Sequence, residues 1–240
     1  MPWSRDQAEH YADLGEQSHV PVLADALKEL IGTGSNRSLL DFGCGGGELT
    51  LRVASLGFQR VLCIDESETL IRDAETFIRQ RAPAPHIHFT FRHGNEDLLP
   101  RPEPFDVVLC SLVLMMCATR ERLERCTRGL IRSLKPDGTL FIVLTHPCFR
   151  RAGYRTFHYE LPKDYDYWDA GRSYEVVLEP PKGEQTSIRD HHWPLQDYVQ
   201  AIVRSGSAIH GLHELPATWN LDGEPDSPPA YLVLAARGTP

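Results

Sequence analysis

The chain has 240 residues, of which 41% are hydrophobic and 24% are charged, and its formal net charge at pH 7 is −8. This length accommodates one well-buried α/β domain with an added lid and argues against a second full domain. The negative charge disfavours a long contact with a nucleic-acid backbone, which requires clustered Lys and Arg.

Cysteine usage and hydropathy indicate the compartment. The six cysteines form no C-x-x-C pair and no zinc-ligand spacing, so we expect no metal site. Most of them stand in apolar contexts typical of reduced, buried thiols, which indicates a cytoplasmic protein. Residues 1–14 lack the apolar core of a signal peptide, and no run of eighteen apolar residues predicts a membrane span.

The N-terminal residues 1–31 predict a helical lid made of two pieces. In the second piece, Val22, Leu23 and Leu27 lie at helical spacing and predict a face that packs on a sheet. The first piece is more polar and carries Tyr11. The sequence alone leaves this aromatic side chain with two roles, because it can contact a ligand or pin the helix to the domain.

Residues 38–67 predict a strand, a tight turn, a helix and a second strand. An apolar run that includes Asp41 is followed within five positions by Gly43, Gly45, Gly46 and Gly47. Glycine permits a positive φ and lets the backbone approach a ligand closely. The second strand ends at Asp65, so an acid lies near the carboxyl end of each strand, where open parallel sheets bind their ligands.

Charge distinguishes the ligands that such a unit binds. A dinucleotide places its pyrophosphate on the glycine turn, and its pattern G-x-G-x-x-G requires glycine where this chain has Glu48. A buried Asp41 would repel a pyrophosphate and attract an ammonium. S-adenosylmethionine carries an α-ammonium, a sulfonium and a ribose diol, so the turn suits its methionine end and Asp65 suits its ribose.

The acid-x-G-x-G-x-G pattern resembles the first motif of the class I S-adenosylmethionine-dependent methyltransferases, of the bacterial small-molecule type; in this chain it comprises Asp41, Gly43, Gly45 and Gly47. The resemblance implies S-adenosylmethionine as cofactor and S-adenosylhomocysteine as product. It also implies an α/β fold with a seven-stranded, mostly parallel sheet, helices on both faces and an aromatic-rich lid insertion. Taken alone, the glycine-rich turn also fits another nucleotide-binding unit or an α/β unit without a ligand.

The resemblance assigns further cofactor contacts. Residues 38–145 would form the cofactor-binding half, with Asp65 at the ribose, Glu66 as a further cofactor contact and Tyr11 folded over the methionine end. The turn after the third predicted strand, Gly94 to Pro100, resembles the family's G-D-x-x-x-L-P segment and implies that Asn95 and Glu96 contact the adenine. Asparagine replaces the usual acid there, and a plain surface turn is the alternative.

Residues 105–110 are apolar except for Asp106, which predicts a central parallel strand buried on both faces. Ser111 follows at its carboxyl end, where the resemblance implies contact with the sulfonium end of the cofactor. The basic residues from Arg120 to Lys135 lie at helical spacing with interleaved acids, and we interpret them as a solvated helix face. The following L-K-P-D-G-T-L sequence resembles the element before the family's fifth strand.

Three histidines are candidate general bases. His146 follows the buried strand 139–144, at the edge that faces the cofactor crevice, and a His near its ordinary pKa accepts protons from phenols, indole-type N–H groups or activated carbon. The alternative is a His that orders its loop by bonding to backbone. His191 and His192 are adjacent in a predicted strand, so they point to opposite faces and only one can face the pocket.

Aromatic residues are concentrated between Phe149 and Tyr174, where the α/β pattern stops. Such a segment predicts closure over an apolar ligand, so we expect residues 146–193 to form a substrate lid. The alternatives are an aromatic cluster that packs only on itself, and arginines such as Arg150 that meet a carboxylate or phosphate of the substrate. The expected substrate contacts are Phe149, Tyr165, Tyr167, Trp168 and Trp193.

The remaining residues, 194–240, predict a helix and two strands that complete a single domain spanning residues 1–240. The function that these patterns favour is methyl transfer to N, O or C of a small aromatic metabolite of the natural-product type, by a monomer or homodimer without nucleic-acid or membrane partners. Two alternatives remain: a methyltransferase acting on tRNA or protein, and a protein that binds the cofactor without using its methyl group.

Overall fold

The computed structural model describes residues 19–81, 86–99, 103–154, 157–179, 185–216 and 228–237. Tyr11 and the first piece of the predicted N-terminal lid lie outside the described residues.

A seven-stranded sheet forms the centre of the domain, in the order β3-β2-β1-β4-β5-β10-β9. The pairings among the first five of these strands are parallel, and β10 and β9 are added as an antiparallel edge pair. This arrangement confirms the predicted class I sheet. The strands are β1 (Ser38–Phe42), β2 (Arg60–Asp65), β3 (His88–His93), β4 (Phe105–Ser111), β5 (Leu134–Thr145), β9 (Ala208–Leu215) and β10 (Tyr231–Arg237).

Within the described ranges, five α-helices cover the sheet, and each buries an apolar stripe that the sequence carries at helical spacing. The first begins at His19, with Pro21 in its first turn, where a missing N–H costs no helical bond. The fourth is capped by Thr119, whose side chain accepts from Arg122 N. The helices are α1 (His19–Ile31), α2 (Glu48–Ala54), α3 (Glu68–Arg81), α4 (Arg120–Arg132) and α5 (Leu195–Arg204).

Two apolar clusters hold the helices to opposite faces of the sheet. Successive residues of β1 alternate between them: Leu39 packs with α1, α2 and α3, whereas Leu40 packs with α4 and α5. Every residue of β1 is buried, as expected for a strand covered on both faces. The glycine turn and the other loops at the carboxyl edge are therefore mounted on a rigid core.

The turn predicted at residues 135–138 lies inside β5 instead of before it. Leu134 already pairs with Phe105 of β4, and the pairing then resumes between Thr139 and Val107. The four intervening residues therefore form an irregularity within the strand, which explains why a turn-like sequence occurs there.

A second, three-stranded antiparallel sheet is formed by β6 (Phe157–Glu160), β7 (Ser173–Leu178) and β8 (Thr186–His191). The hairpin of β7 and β8 was predicted, but β6 was not, because its four residues give too short a pattern. Tyr174 and Asp190 pair directly and are buried, whereas the neighbouring pair Glu175 and Arg189 points to the opposite, outer face. This sheet lies within the segment 146–193 that the sequence predicts as a lid.

No helix in the described ranges is both long enough and apolar enough to cross a membrane.

Candidate functional site

A crevice of about 690 Å³ opens at the carboxyl edge of β1, β2 and β4. Parallel α/β sheets bind ligands at this edge. Most of the predicted cofactor residues meet there, although they come from four separate loops. They are Gly43, Gly45, Asp65, Glu66, Asn95, Glu96 and Ser111.

The glycine turn forms one wall of the crevice, and its glycines have different roles. Gly43 has a φ of +75°, and a Cβ there would lie 2.2 Å from Cγ2 of Val113. Gly45 has a φ of +55°, and a Cβ there would meet nothing within 4 Å, so this position opens toward a ligand. Gly47 lines no described cavity; its missing Cβ makes room for Ile78 of α3.

Asp65 connects the turn to the second strand. Its Oδ2 accepts from Gly45 N at 2.9 Å, and its Oδ1 accepts from Ser67 N at 2.8 Å. Burial raises the pKa of Asp65, while the bonds from Ser67 and Gly45 oppose this shift. The carboxylate is thus fixed at the crevice wall, where the sequence predicted the ribose diol.

The predicted adenine residues are held by their own contacts. Asn95 Oδ1 accepts from Asp97 N at 2.9 Å, and Glu96 is buried. Burial opposes the charge of Glu96, but hydrogen bonds from Arg125 and Arg122 lower its pKa. Arg122 also donates to Glu66 Oε2 at 2.8 Å and lines the crevice. The interpretation of this basic stretch as a solvated helix face is therefore wrong for Arg122.

A second cavity of about 430 Å³ adjoins the crevice at the methionine end predicted from the sequence. Asp41, with 2% of its surface exposed, lies at this cavity. Its Oδ2 accepts from Thr50 Oγ1 at 2.6 Å, whereas its Oδ1 is buried without a partner among the described residues. Burial raises the pKa of Asp41 to about 7, which Thr50 partly counteracts. An ammonium group would satisfy this oxygen, so the cavity fits the methionine end of S-adenosylmethionine.

Residue 112 separates the two cavities and lines both. Leu112 has a φ of +57°, which is rare for a residue with a branched side chain, and its N–H donates to Val143 O at 2.9 Å. Residues held in such conformations concentrate at ligand sites. Nothing in the local sequence indicates this strained conformation.

The floor of the crevice includes residues that the sequence did not assign to the site. Met116, Cys117 and Cys126 line it, whereas Met115 is buried in the core as a packing residue. Their sequence context is uniformly apolar, so nothing local separates wall residues from core residues. Among the described residues, no group of three or more His, Cys, Asp or Glu side chains is arranged to hold a metal ion.

The three candidate histidines occupy different environments. His146 Nε2 lies 2.9 Å from Glu214 Oε1, and Nδ1 accepts from Cys148 N at a long 3.3 Å. Burial lowers the pKa of His146 against the opposing effect of Glu214, so the ring is neutral at pH 7. His192 is fully buried and bonded through both nitrogens, to Tyr167 O and the Tyr165 hydroxyl. His191 lies on the same side of β8 as Arg189, its Nδ1 is buried without a partner among the described residues, and burial lowers its pKa.

The predicted substrate residues separate into two groups. Phe149, Tyr165 and Tyr167 line a cavity of about 630 Å³ together with the arginines at 150 and 151; we call it the aromatic cavity. Trp168 does not line it and is 68% exposed. Trp193 is buried, and its Nε1 donates to Cys117 O at 3.0 Å, so it ties the lid to the crevice wall.

Sequence comparison agrees with this geometry. The profile of a family described as a methyltransferase domain matches residues 39–138. N-demethylindolmycin N-methyltransferase from Streptomyces griseus is 28% identical over 204 residues, which cover 84% of this chain and 80% of that protein. A ubiquinone biosynthesis O-methyltransferase from Caulobacter vibrioides is 38% identical over 108 residues, which cover 44% of this chain and 39% of that protein.

Solved structures share the whole fold. The CcbJ methyltransferase from Streptomyces caelestis superposes with a TM-score of 0.68 at 17% identity, covering 90% of this chain and 94% of that one. The sugar N-methyltransferase KedS8 from Streptoalloteichus superposes with a TM-score of 0.66 at 16% identity, covering 100% of this chain and 94% of that one. At such identities the likeness concerns the fold.

Proposed function

Because this chain is a class I S-adenosylmethionine-dependent methyltransferase, we propose that it methylates N, O or C of a small aromatic metabolite. The aromatic cavity supports this proposal, because Phe149, Tyr165 and Tyr167 converge on a space of metabolite size beside the sheet edge. The relative that matches most of the chain acts, by its name, on N-demethylindolmycin, a small molecule.

We assign the cofactor by the chemistry of each wall. Asp41 Oδ1 would take the α-ammonium, while the glycine turn passes closely beneath the methionine chain. Asp65 and Glu66 would meet the ribose diol, and the region between Asn95 and Cys126 would hold the adenine, with Glu96 fixing the arginines at its rim. The unpartnered oxygen of Asp41 is the observation that carries this assignment.

The sulfonium of the cofactor already makes its methyl group electrophilic. The protein then has to align the acceptor atom in line with that methyl and keep water out. Ser111 and Leu112, which line both cofactor cavities, would lie beside the sulfonium, where the two cavities adjoin.

We propose His146 as the proton acceptor where the nucleophile carries a proton. Glu214 holds its Nε2–H, which leaves Nδ1 as the basic nitrogen, and the bond from Cys148 N to Nδ1 is long enough to be exchanged for a substrate proton. Burial keeps the ring neutral at pH 7. His192, which is buried and bonded through both nitrogens, and His191, which lies on the side of β8 that Arg189 shares, are the weaker candidates.

The cofactor assignment is tested by calorimetric titration with S-adenosylhomocysteine and, separately, with NADH. We expect binding of the first and none of the second, because the buried Asp41 repels a diphosphate. Mass-spectrometric detection of methylated products from a panel of aromatic metabolites, with tRNA and peptide substrates as comparison arms, then tests the substrate class. Tight binding without methylation of any acceptor would favour a cofactor-binding protein that does not transfer the methyl group.

A further inference from the structure

A cluster of buried polar side chains lies at the carboxyl end of β5, outside the cofactor crevice. Five elements and the turn after β5 contribute to it, although their residues lie far apart in the chain. Arg150 is at its centre, and the electrostatic influence of its charge reaches the surrounding tyrosines and Asp190. We call this cluster the arginine chamber; its members are Thr145, Arg150, Tyr159, Tyr174, Asp190 and Tyr198.

Arg150 presents one free edge of its guanidinium into the chamber. Only 2% of the residue is exposed, and Nη1 donates to Thr145 Oγ1. The group lies 5.0 Å from the ring centre of Tyr159 and 5.3 Å from that of Tyr174. Nε and Nη2 have no partner among the described residues. These two nitrogens form one side of the guanidinium fork, the side that pairs with both oxygens of a carboxylate.

The rest of the chamber is rich in donors. The hydroxyl groups of Tyr174 and Tyr198 are also buried without partners among the described residues. Burial raises the pKa of both phenols and of Tyr159, where hydrogen bonding with Arg150 and Thr145 opposes the shift, so all three remain protonated and able to donate. A ligand that complements them must therefore supply acceptor oxygens.

Asp190 does not neutralise the arginine. Burial raises the pKa of Asp190 to about 7, although Arg150 opposes the shift, so a large fraction of the carboxyl is protonated at neutral pH. No ion pair between the two residues is found in the described part of the chain, and Asp190 Oδ1 is unpartnered. The chamber thus holds a buried cation whose charge is incompletely balanced, which is costly unless a ligand completes it.

We propose that the arginine chamber binds the carboxylate of the methyl acceptor, with Nε and Nη2 of Arg150 each taking one oxygen and the tyrosine hydroxyls donating to the remaining lone pairs. This inference rests on the proposed function and narrows it, because the substrate becomes an aromatic carboxylic acid. Arg150 also lines the aromatic cavity with Phe149, Tyr165 and Tyr167, so ring and acid are recognised side by side. The fork itself is closed to solvent, and entry of the acid requires the turn Pro147–Phe149 or the small sheet to move.

The test uses the full chain saturated with S-adenosylhomocysteine and titrated calorimetrically with phenylacetate and indole-3-acetate, each beside its primary amide. We expect each acid to bind at least about tenfold more tightly than its amide, as a bidentate charged pair implies. Arg150→Lys keeps the charge but removes the fork, and Tyr174→Phe removes one donor at nearly constant volume. Both should reduce the preference for the acid, Arg150→Lys more than Tyr174→Phe, with unchanged affinity for S-adenosylhomocysteine.

A matched control is Arg189→Gln, which removes an arginine charge one residue from Asp190 but on the exposed outer face of β8. It should leave the preference for the acid unaltered. Thermal unfolding of every variant shows whether it is folded, and if Arg150→Lys does not fold, the Tyr174→Phe variant decides the question alone.

The chamber proposal would be overturned by equal binding of acids and amides, by an acid preference that neither substitution reduces, or by no binding of either acid at millimolar concentration. Tighter binding of phenyl phosphate than of phenylacetate would likewise reject the carboxylate assignment. The proposed function fails separately, when the wild-type chain does not bind S-adenosylhomocysteine. Methylation of a neutral acceptor by a chain that binds the cofactor would reject only the chamber.

Discussion

Replacing the buried carboxylate of Asp41 by an amide should weaken cofactor binding while stabilising the ligand-free protein. In Asp41→Asn the amide oxygen can still accept from Thr50, so the fold keeps that bond. What is lost is the negative charge on the unpartnered Oδ1, which the ammonium of the cofactor would contact. A purely structural aspartate would show the reverse pattern, because its replacement lowers stability.

The magnitude follows from the pKa of Asp41, which burial raises from 3.8 to about 7. An acid whose pKa is higher in the folded state than in the unfolded state contributes its full stabilisation below the unfolded-state pKa. This stabilisation is lost as the pH rises through the folded-state pKa. Three units correspond to about 4 kcal/mol lost between roughly pH 4 and pH 8. Asp41→Asn has no carboxyl group to ionise at this position and does not lose this stability. At pH 8 its free energy of unfolding should therefore exceed that of wild type by about 2 kcal/mol or more, which is half of the 4 kcal/mol estimated above.

Cofactor binding should change in the opposite direction. Loss of a charge-assisted bond to a buried carboxylate costs about 2–3 kcal/mol, which is roughly 30- to 150-fold in the dissociation constant for S-adenosylhomocysteine. Because the wild-type carboxyl must ionise to hold the ammonium, wild-type affinity should also rise from pH 6 to pH 7.5. The affinity of the variant should not follow this rise.

The assay combines calorimetric titration with S-adenosylhomocysteine at pH 6.0, 7.0 and 7.5 with urea unfolding of the ligand-free proteins at pH 5 and 8. Asp73→Asn is the matched control, because this aspartate lies exposed on α3 and outside both cofactor cavities. Equal affinity of wild type and the Asp41 variant at pH 7.5, or a variant that is less stable than wild type at pH 8, would refute the reasoning.

Two further substitutions test the turn and the base. Gly43→Ala places a Cβ 2.2 Å from Val113 Cγ2 at a φ of +75°. Urea unfolding should therefore show a free energy of unfolding lower by about 2 kcal/mol or more, and calorimetry should show weakened cofactor binding. Wild-type values in both measurements would contradict the close approach. His146→Asn should lower kcat about 10²- to 10⁴-fold at unchanged affinity for S-adenosylhomocysteine. Because burial lowers the pKa of His146, the acidic limb of the wild-type profile of kcat against pH should lie below pH 6.5. A lower melting temperature with unchanged kcat would leave His146 as a loop-ordering residue.

The fold and the cofactor edge were predictable because their signals are local. The strand that contains Asp41, the glycine turn and the strand that ends at Asp65 lie within thirty residues, and short-range periodicity fixes their structure. The same locality places Ser111, the last residue of β4, and Asn95, two residues after β3, at the crevice. Parallel topology then brings these strand ends together without further information.

Contacts between distant segments were not predictable. Arg122 reaches Glu66, 56 residues away, and its helical neighbours suggested only a solvated face. The arginine chamber likewise needs the registers of β7 and β8, which place Tyr174 opposite Asp190. An aromatic-rich sequence predicts that rings will cluster, but it does not predict which ring is left exposed, as Trp168 is. Such outcomes depend on the packing of the completed fold.

The site combines two buried charges of opposite sign, and each has a different dependence on pH. Asp41 must be ionised to hold the cofactor, so cofactor binding should strengthen as the pH rises through about 7. Arg150 stays charged over this pH range. Burial raises the pKa of Asp190, which lies in the same chamber, to about 7, so its carboxyl becomes negative as the pH rises through 7 and competes with a carboxylate ligand for Arg150. Binding of a carboxylate acceptor should therefore weaken as the pH rises. A bell-shaped profile of kcat/KM near neutral pH follows from these two binding groups alone, so the shape of that profile does not by itself identify a general base.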